Sequence, residues 1–301
     1  MSGIPIRVDG TTDNVLLASS CNGMDSHAGL SAFDGAGTVS VDMRNTTGLY
    51  AGGGYLFRLL QPVPGYPTDM LVFEAHGAMS TWKLETVFDP HDVLWDGQHA
   101  LVVCSSRNTI NWFSPGGVLV KQWTAATLPD EFDAWHINCL ALRGEEVFVS
   151  AFGRFQRHRE WADHMQDPTG IMFNLKTGKD VLTGLLHPHS PRPLHGGWII
   201  CDSKRRDVVQ YNRDGDVERR SGELAHYTRG LAQSDDLLFV GESLSRSDGG
   251  ADSAPESVTG SIAVLRRDTL ELVDRVAIPS REVYDLVIVK RAFYENMRHL
   301  S

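Results

Sequence analysis

Short apolar runs punctuated by turn residues fill most of the chain, and they recur in a fixed order. Residues 89–106, DPHDVLWDGQHALVVCSS, hold the unit in its plainest form. HDVLW and ALVVCS read as antiparallel strands joined through Asp96 and Gly97, a strong hairpin signal. The second strand recurs as NVLLASS (14–20), EVFVSAF (146–152), GWIICDS (197–203) and LLFVGES (237–243). A third, apolar strand running into a turn appears six times, as GLSAFDGAG (29–37), DMLVFEAHG (69–77), TINWFSPGG (109–117), GIMFNLKTG (170–178), DVVQYNRDG (207–215) and SIAVLRRDT (261–269). Each copy is followed by a shorter fourth strand, such as STWKLE, VLVKQW or ELVDRVAI.

Six four-stranded meanders at a spacing of roughly 35 to 50 residues predict an all-β, six-bladed β-propeller, because one blade alone cannot bury both of its faces. The chain enters at a second strand, NVLLASS, and ends with one unmatched inner strand, EVYDLVIV (282–289), so the C-terminal strand is expected to join the N-terminal blade and close the ring. The expected blades are about 14–44 plus 282–289, 47–86, 89–123, 134–185, 187–223 and 226–279, forming a single domain over 1–301. The tail beyond Lys290 reads as a short helix or a frayed end.

Links between second and third strands are long in blade 2 (61–68), blade 4 (153–169) and blade 6 (243–260). They emerge on the face where the inner strands begin, which marks that face as functional. The blade 4 link, with its Arg, His and Trp residues, is a candidate lid; the Ser/Gly/Asp-rich blade 6 link is expected to be mobile.

A formal charge of −10 offers no basic surface for a nucleic acid or an anionic membrane, and no apolar run is long enough to span a bilayer. The first residues, MSGIPIRVDG, show no basic region followed by an apolar stretch, so no secretory signal is expected. The four cysteines sit in or beside strand-like runs without CxxC spacing and read as buried free thiols of a cytoplasmic protein. No Walker loop, dinucleotide fingerprint or nucleophile elbow is present, and AGGG (51–54) reads as a hairpin turn, so no nucleotide cofactor is expected.

The polar residues of the inner strands carry the candidate chemistry. Aligned on a shared leucine, HDVL (91–94), INCL (137–140), PRPL (191–194), TRGL (228–231) and VYDL (283–286) place Asp92, Asn138, Arg192, Arg229 and Tyr284 two residues before it. Strand alternation would send that column to one side, as a polar ring around the axis. Its two arginines would favour a carboxylate or phosphate ligand, with Asp92 as the group that could neutralise one of them.

Three histidines, His91, His136 and His189, stand just before the column on adjacent blades. Three imidazoles with open positions suit a catalytic divalent metal, zinc first, with iron or manganese as alternatives. They lie three, four and five residues before the leucine, so a bulge or a kink at Pro90 or Pro188 is needed to point them all at the axis. His187 is a possible substitute for His189. Glu242 and Asp202 end second strands near the same face as candidate general bases. His27, His76, His99, His158, His164, His195 and His226 read as loop, turn or surface residues.

At HDVLWDG, HINCLAL, PHSPRPLHGG and TRGLA the chain resembles a largely uncharacterised family of bacterial proteins that carry a domain of unknown function. The resemblance runs from about Val15 to Val289 and implies a β-propeller, but hardly any particular activity. More distantly, the architecture is similar to six-bladed propeller enzymes: the gluconolactonase and paraoxonase group, strictosidine synthase, and the peptidyl-hydroxyglycine lyase that holds zinc with three inner-strand histidines. By analogy with that lyase, His91, His136 and His189 would be ligands, with Tyr284 and either Arg192 or Arg229 as acid–base and anchoring groups. The gluconolactonase pattern places Glu, Asn and Asp around its metal. Asn138 and Asp92 match in type, but no glutamate begins an inner strand, which counts against a calcium lactonase.

Two functions are therefore expected in competition. One is a metal-dependent hydrolase, lyase or isomerase acting on a small anionic or polar metabolite at the channel mouth, with Tyr284, Asp92 and Glu242 moving protons and Arg192, Arg229 and Asn138 holding substrate. The other is a non-catalytic propeller that binds a small anion or a partner.

Overall fold

The β-branched and aromatic residues of the repeated runs suit a pleated surface buried on its inner side. In the computed structural model, which describes residues 13–21, 29–35, 37–125, 132–244 and 259–300, they form 24 strands in six four-stranded antiparallel sheets around one axis, a six-bladed β-propeller. Strands are labelled in chain order. Blade 1 contains β1 (Asn14–Ser20), β2 (Gly29–Phe33) and β3 (Thr38–Asp42), with β24 (Asp285–Lys290) as its inner strand. The closure expected from the sequence is thus present, with Val15 opposite Val289 and Leu17 opposite Val287.

Blade 2 is β4 (Thr46–Gly52), β5 (Tyr55–Leu60), β6 (Thr68–Glu74) and β7 (Met79–Leu84). Blade 3 is β8 (Pro90–Trp95), β9 (Ala100–Cys104), β10 (Thr109–Ser114) and β11 (Val118–Thr124). Blade 4 is β12 (Ile137–Arg143), β13 (Glu146–Ala151), β14 (Gly170–Asn174) and β15 (Asp180–Leu185). Blade 5 is β16 (Pro188–Leu194), β17 (Gly197–Asp202), β18 (Asp207–Tyr211) and β19 (Val217–Arg220). Blade 6 is β20 (Tyr227–Gln233), β21 (Leu237–Ser243), β22 (Ser261–Arg266) and β23 (Leu272–Ala277). Most of the blade 6 link (245–258), and His27, lie outside the described residues.

The apolar residues collect between blades. Phe57, Trp82, Trp95 and Phe113 fill the space between blades 2 and 3, Trp112, Leu140 and Phe173 that between 3 and 4, and Phe148 and Trp198 that between 4 and 5. Corresponding clusters join blades 5 and 6, 6 and 1, and 1 and 2. The tail is a helix, α1 (Arg291–Leu300), whose Tyr294 and Met297 pack on the cluster between blades 1 and 2. The outer strands β11, β19 and β23 are largely exposed, as befits strands that cover a blade on one edge only.

The inner strands are not regular. Their pairing with the second strand slips between Thr46 and Leu49, Pro90 and Val93, Ile137 and Cys139, His189 and Arg192, and Thr228 and Leu231. A bulge sets two residues against one, so the alternation of side chains resets beyond it. The single polar column expected from strict alternation is broken here.

Candidate functional site

At the level of the bulges, side chains of blades 1, 3 and 5 reach across to the next blade. Asp285 Oδ2 accepts from the Leu49 amide at 3.0 Å, Asp92 Oδ2 from the Leu140 amide at 2.7 Å, and Ser190 Oγ from the Gly230 amide at 3.0 Å. Two of the facing positions are glycine because the strands touch: a Cβ on Gly48 would lie 2.7 Å from the Asp92 Cα, and one on Gly230 3.0 Å from the Asp285 Cα. These ties form a waist. On one side of it, at the strand entries, lies a cup of about 1120 Å³; on the other, along the later halves of the inner strands, lies a cavity of about 430 Å³.

The expected ring is distributed over three places. Arg229 and Tyr284 line the cup, Asp92 and Arg192 line the opposite cavity, and Asn138 is fully buried, its Oδ1 accepting from Ser150 Oγ at 2.5 Å. The two arginines therefore serve different mouths, and each has a carboxylate neighbour: Glu282 at 3.6 Å from Arg229 and Asp285 at 3.6 Å from Arg192. Glu242 is also elsewhere. Fully buried, it accepts from Ser261 Oγ, Arg275 Nε and the Ala225 amide; burial opposes its charge, but Arg275 and the other donors hold its carboxyl below the usual range. Asp202 is likewise enclosed, accepting from the Leu186 amide and Arg205.

The cup gathers His91, His136, His187 and His189 with Asp89, Asp133, Tyr227 and Glu282. Among the described residues its closer histidine–carboxylate pair is Asp133–His136. The His136 Nδ1 lies 3.0 Å from Asp133 Oδ2, which also accepts from Trp161 Nε1 at 3.3 Å. The segment bearing this dyad is clamped by the end of blade 3. Asn108, fully buried, accepts from the Trp135 amide at 3.0 Å and donates to the Phe132 carbonyl, while Ser105 Oγ donates to the Ile137 carbonyl. His136 adopts φ +48° and His187 φ +52°, a left-handed backbone that a non-glycine residue holds only where its surroundings impose it, and such positions cluster at functional sites.

Burial sets the protonation of the neighbouring groups. His187 is pushed down to about 4 by burial, aided by His136 and Lys204, and the His189 imidazole is lowered by burial and by Arg229. Both are neutral at pH 7. The Tyr284 hydroxyl is raised by burial and remains a proton donor. Burial disfavours the Arg229 charge, but Tyr284, whose ring lies 3.3 Å beneath the guanidinium, and Glu282 more than offset this. Asp89 is raised by burial and by Asp133, against His136 and Arg229, and stands 3.9 Å from His91.

The three histidines chosen as metal ligands are not brought to one point. His91 and His136 meet edge to face at 5.0 Å, but the Phe152 ring intervenes on the far side, 4.3 Å from His136 and 5.5 Å from His189. The His189 Nδ1 is engaged by the His187 carbonyl and Ser203 Oγ. A metal requires its ligand atoms at about 2 Å from one centre, and among the described residues no three His, Cys, Asp or Glu side chains are so arranged. The three-histidine set does not fit a metal, and nothing selects zinc.

The blade 4 link forms part of the cup wall, where Trp161 packs on His136 at 4.7 Å and on Phe152 at 5.4 Å; the blade 2 link contributes Gln61 to Pro64. Sequence reasoning missed Asp133, Phe152 and Glu282. Asp133 stands three residues before His136 and Glu282 two before Tyr284, so an acid close ahead of a singled-out inner-strand residue was a usable signal. Phe152 looked like one more apolar strand end.

Among solved structures, a protein of unknown function from Bacteroides caccae is 10% identical with a TM-score of 0.60, over 92% of this chain and 99% of that one. A 6-phosphogluconolactonase-like protein of Bacteroides fragilis is 12% identical with a TM-score of 0.59, over 92% and 98%. Regucalcin of Agrobacterium tumefaciens, a calcium-binding protein, is 12% identical with a TM-score of 0.52, over 80% and 77%. At such identities the likeness is one of fold. No curated protein matches the chain in sequence, and among the described residues no helix is long and apolar enough to cross a membrane. Residues 79–295, most of the chain and all of the inner strands from blade 3 onward, match a family model, and the protein belongs to that family, described as Domain of unknown function (DUF4915).

Proposed function

We propose that the protein is a general acid–base enzyme acting on a small anionic metabolite held in the cup, a hydrolase, lyase or isomerase of a carbonyl-containing acid. The observation that carries this reading is the Asp133–His136 dyad. A carboxylate at 3.0 Å fixes the Nδ1–H tautomer of His136, leaving Nε2 as the basic atom. His136 then takes a proton from water or from carbon. Arg229, kept charged, binds the substrate's anionic group, and Tyr284, kept protonated, donates to the oxygen on which charge develops. The propeller likeness to a 6-phosphogluconolactonase-like protein supports an enzyme of this kind, and four buried free thiols support a reducing, cytoplasmic setting.

The competing metal-dependent reading draws on the calcium-binding regucalcin fold and has the donor geometry against it. A screen of small hydroxy acids, keto acids, lactones and sugar phosphates by proton NMR, with wild type and His136→Ala in parallel and metal content measured on both, tests the proposal. Turnover lost in His136→Ala at unchanged metal content supports it. Turnover that survives the substitution rejects it. A stoichiometric metal lost with His136 favours the metal enzyme, and binding without turnover favours the non-catalytic propeller.

A further inference from the structure

The cavity beyond the waist plays no part in the chemistry of the cup. Its volume of about 430 Å³ is in the range of small-molecule sites. Leu49, Leu94, Leu142, Leu231 and Ile288 line it, and among the described residues Arg192 is the one cation in its lining. That guanidinium is only partly used. Nη1 donates to the Pro191 carbonyl at 3.0 Å, whereas Nη2 stands 3.6 Å from Asp285 Oδ1, beyond hydrogen-bonding distance. Asp285 has both oxygens occupied by the Leu49 and Leu286 amides, and Asp92 by those of Leu140 and Val93. Asp285 therefore holds Arg192 by charge without a hydrogen bond, and the guanidinium keeps N–H donors with no acceptor within hydrogen-bonding distance among the described residues, in a side chain 23% exposed.

We infer that this cavity is a second binding site, separate from the cup, for a small monocarboxylate with an apolar body, its carboxylate held by Arg192. A guanidinium fork with free donors matches a carboxylate, and the leucine-rich wall takes the apolar part. A single guanidinium set among apolar walls matches one negative charge rather than the two of a phosphate dianion. The inference is independent of the reading of the cup.

Benzoate and hexanoate serve as probes, titrated calorimetrically against Arg229→Gln protein, which lacks the cup's own anion anchor. Binding is expected there, weakened about ten- to hundredfold by adding Arg192→Gln and abolished by adding Ala51→Trp, which fills the cavity. Circular dichroism establishes that each variant is folded; should Arg192→Gln not fold, Ala51→Trp decides alone. The inference is overturned if neither probe binds the Arg229→Gln protein, or if binding survives either added substitution in a folded protein.

Discussion

Asp92 reaches from blade 3 to blade 4 to take the Leu140 amide hydrogen at 2.7 Å while its other oxygen takes the Val93 amide. An acid chosen from the sequence as a proton carrier at the mouth is instead a strut of the channel waist. Burial, and after it the charge of Asp285, push its carboxyl up to about 8; Asp285 is raised too, chiefly by burial. Between the ordinary value of 3.8 and about 8 the unfolded chain has released this proton and the folded one retains it. Stability from Asp92 is therefore complete below about pH 4 and is lost as pH rises through about 8. Asp92→Asn should flatten this loss and relieve Asp285 as well. Melting curves of wild type and variant at about pH 5 and about pH 8.5 test it, and an equal fall in Tm for both would refute the assignment.

The same waist predicts intolerance of a single methyl group. Gly48→Ala places a Cβ 2.7 Å from the Asp92 backbone, and Gly230→Ala places one 3.0 Å from that of Asp285 at φ +76°. Backbone cannot yield as a side-chain tip does, so each change should cost about 1–3 kcal/mol. At roughly 2–4 °C per kcal/mol for a chain of this size, the drop is visible in a thermal melt. Gly54→Ala, with open space around its Cβ but φ +84°, separates close contact from backbone strain and should cost less.

The fold was legible because blade-forming runs repeat and each needs a neighbour to cover it; even the closure of β1 on β24 followed from one unmatched strand. The site was legible residue by residue but not as a whole. His91, His136, His189, Arg229 and Tyr284 do line one cup. Arg192 and Asp92 do not, because bulges between His189 and Arg192 and between Pro90 and Val93 reset the side-chain alternation that had placed them in one ring. A bulge inserts one residue and leaves no hydrophobic signature of its own. The ligand set failed for a related reason: Phe152 comes from a second strand, and its approach to His136 and His189 depends on tertiary packing that no spacing along the chain encodes.

Glu242 illustrates how a strand-end carboxylate differs from a base. It accepts from Arg275 Nε and Ser261 Oγ, each at 2.6 Å, and from the Ala225 amide at 2.8 Å, so that two strands of blade 6 and the link from blade 5 are joined through it. Glu242→Ala leaves those donors without a partner, at a cost of about 1–3 kcal/mol. Because Arg275 is 39% exposed and can turn to water, the lower half of that range is expected. Urea denaturation measures it; a variant as stable as wild type would show that the network contributes nothing.

Asp133→Asn tests the dyad most directly, because it keeps the side chain's shape. In the native protein Asp133 Oδ2 serves both His136 Nδ1 and Trp161 Nε1. Because Oδ1 and Oδ2 lie 3.1 and 3.0 Å from His136 Nδ1, either orientation of the asparagine brings its amide nitrogen against that ring nitrogen, which would favour the tautomer with the proton on Nε2, the atom proposed as the base. On an acid that the wild type turns over, kcat should fall by about 10²–10⁴, while KM stays within a few-fold because Arg229 and Tyr284, the proposed substrate contacts, are untouched. A merely structural Asp133 would instead lower the melting temperature and move kcat and KM together, or neither. The split between kcat and KM therefore decides whether Asp133 orients a base or only anchors the loop that carries it.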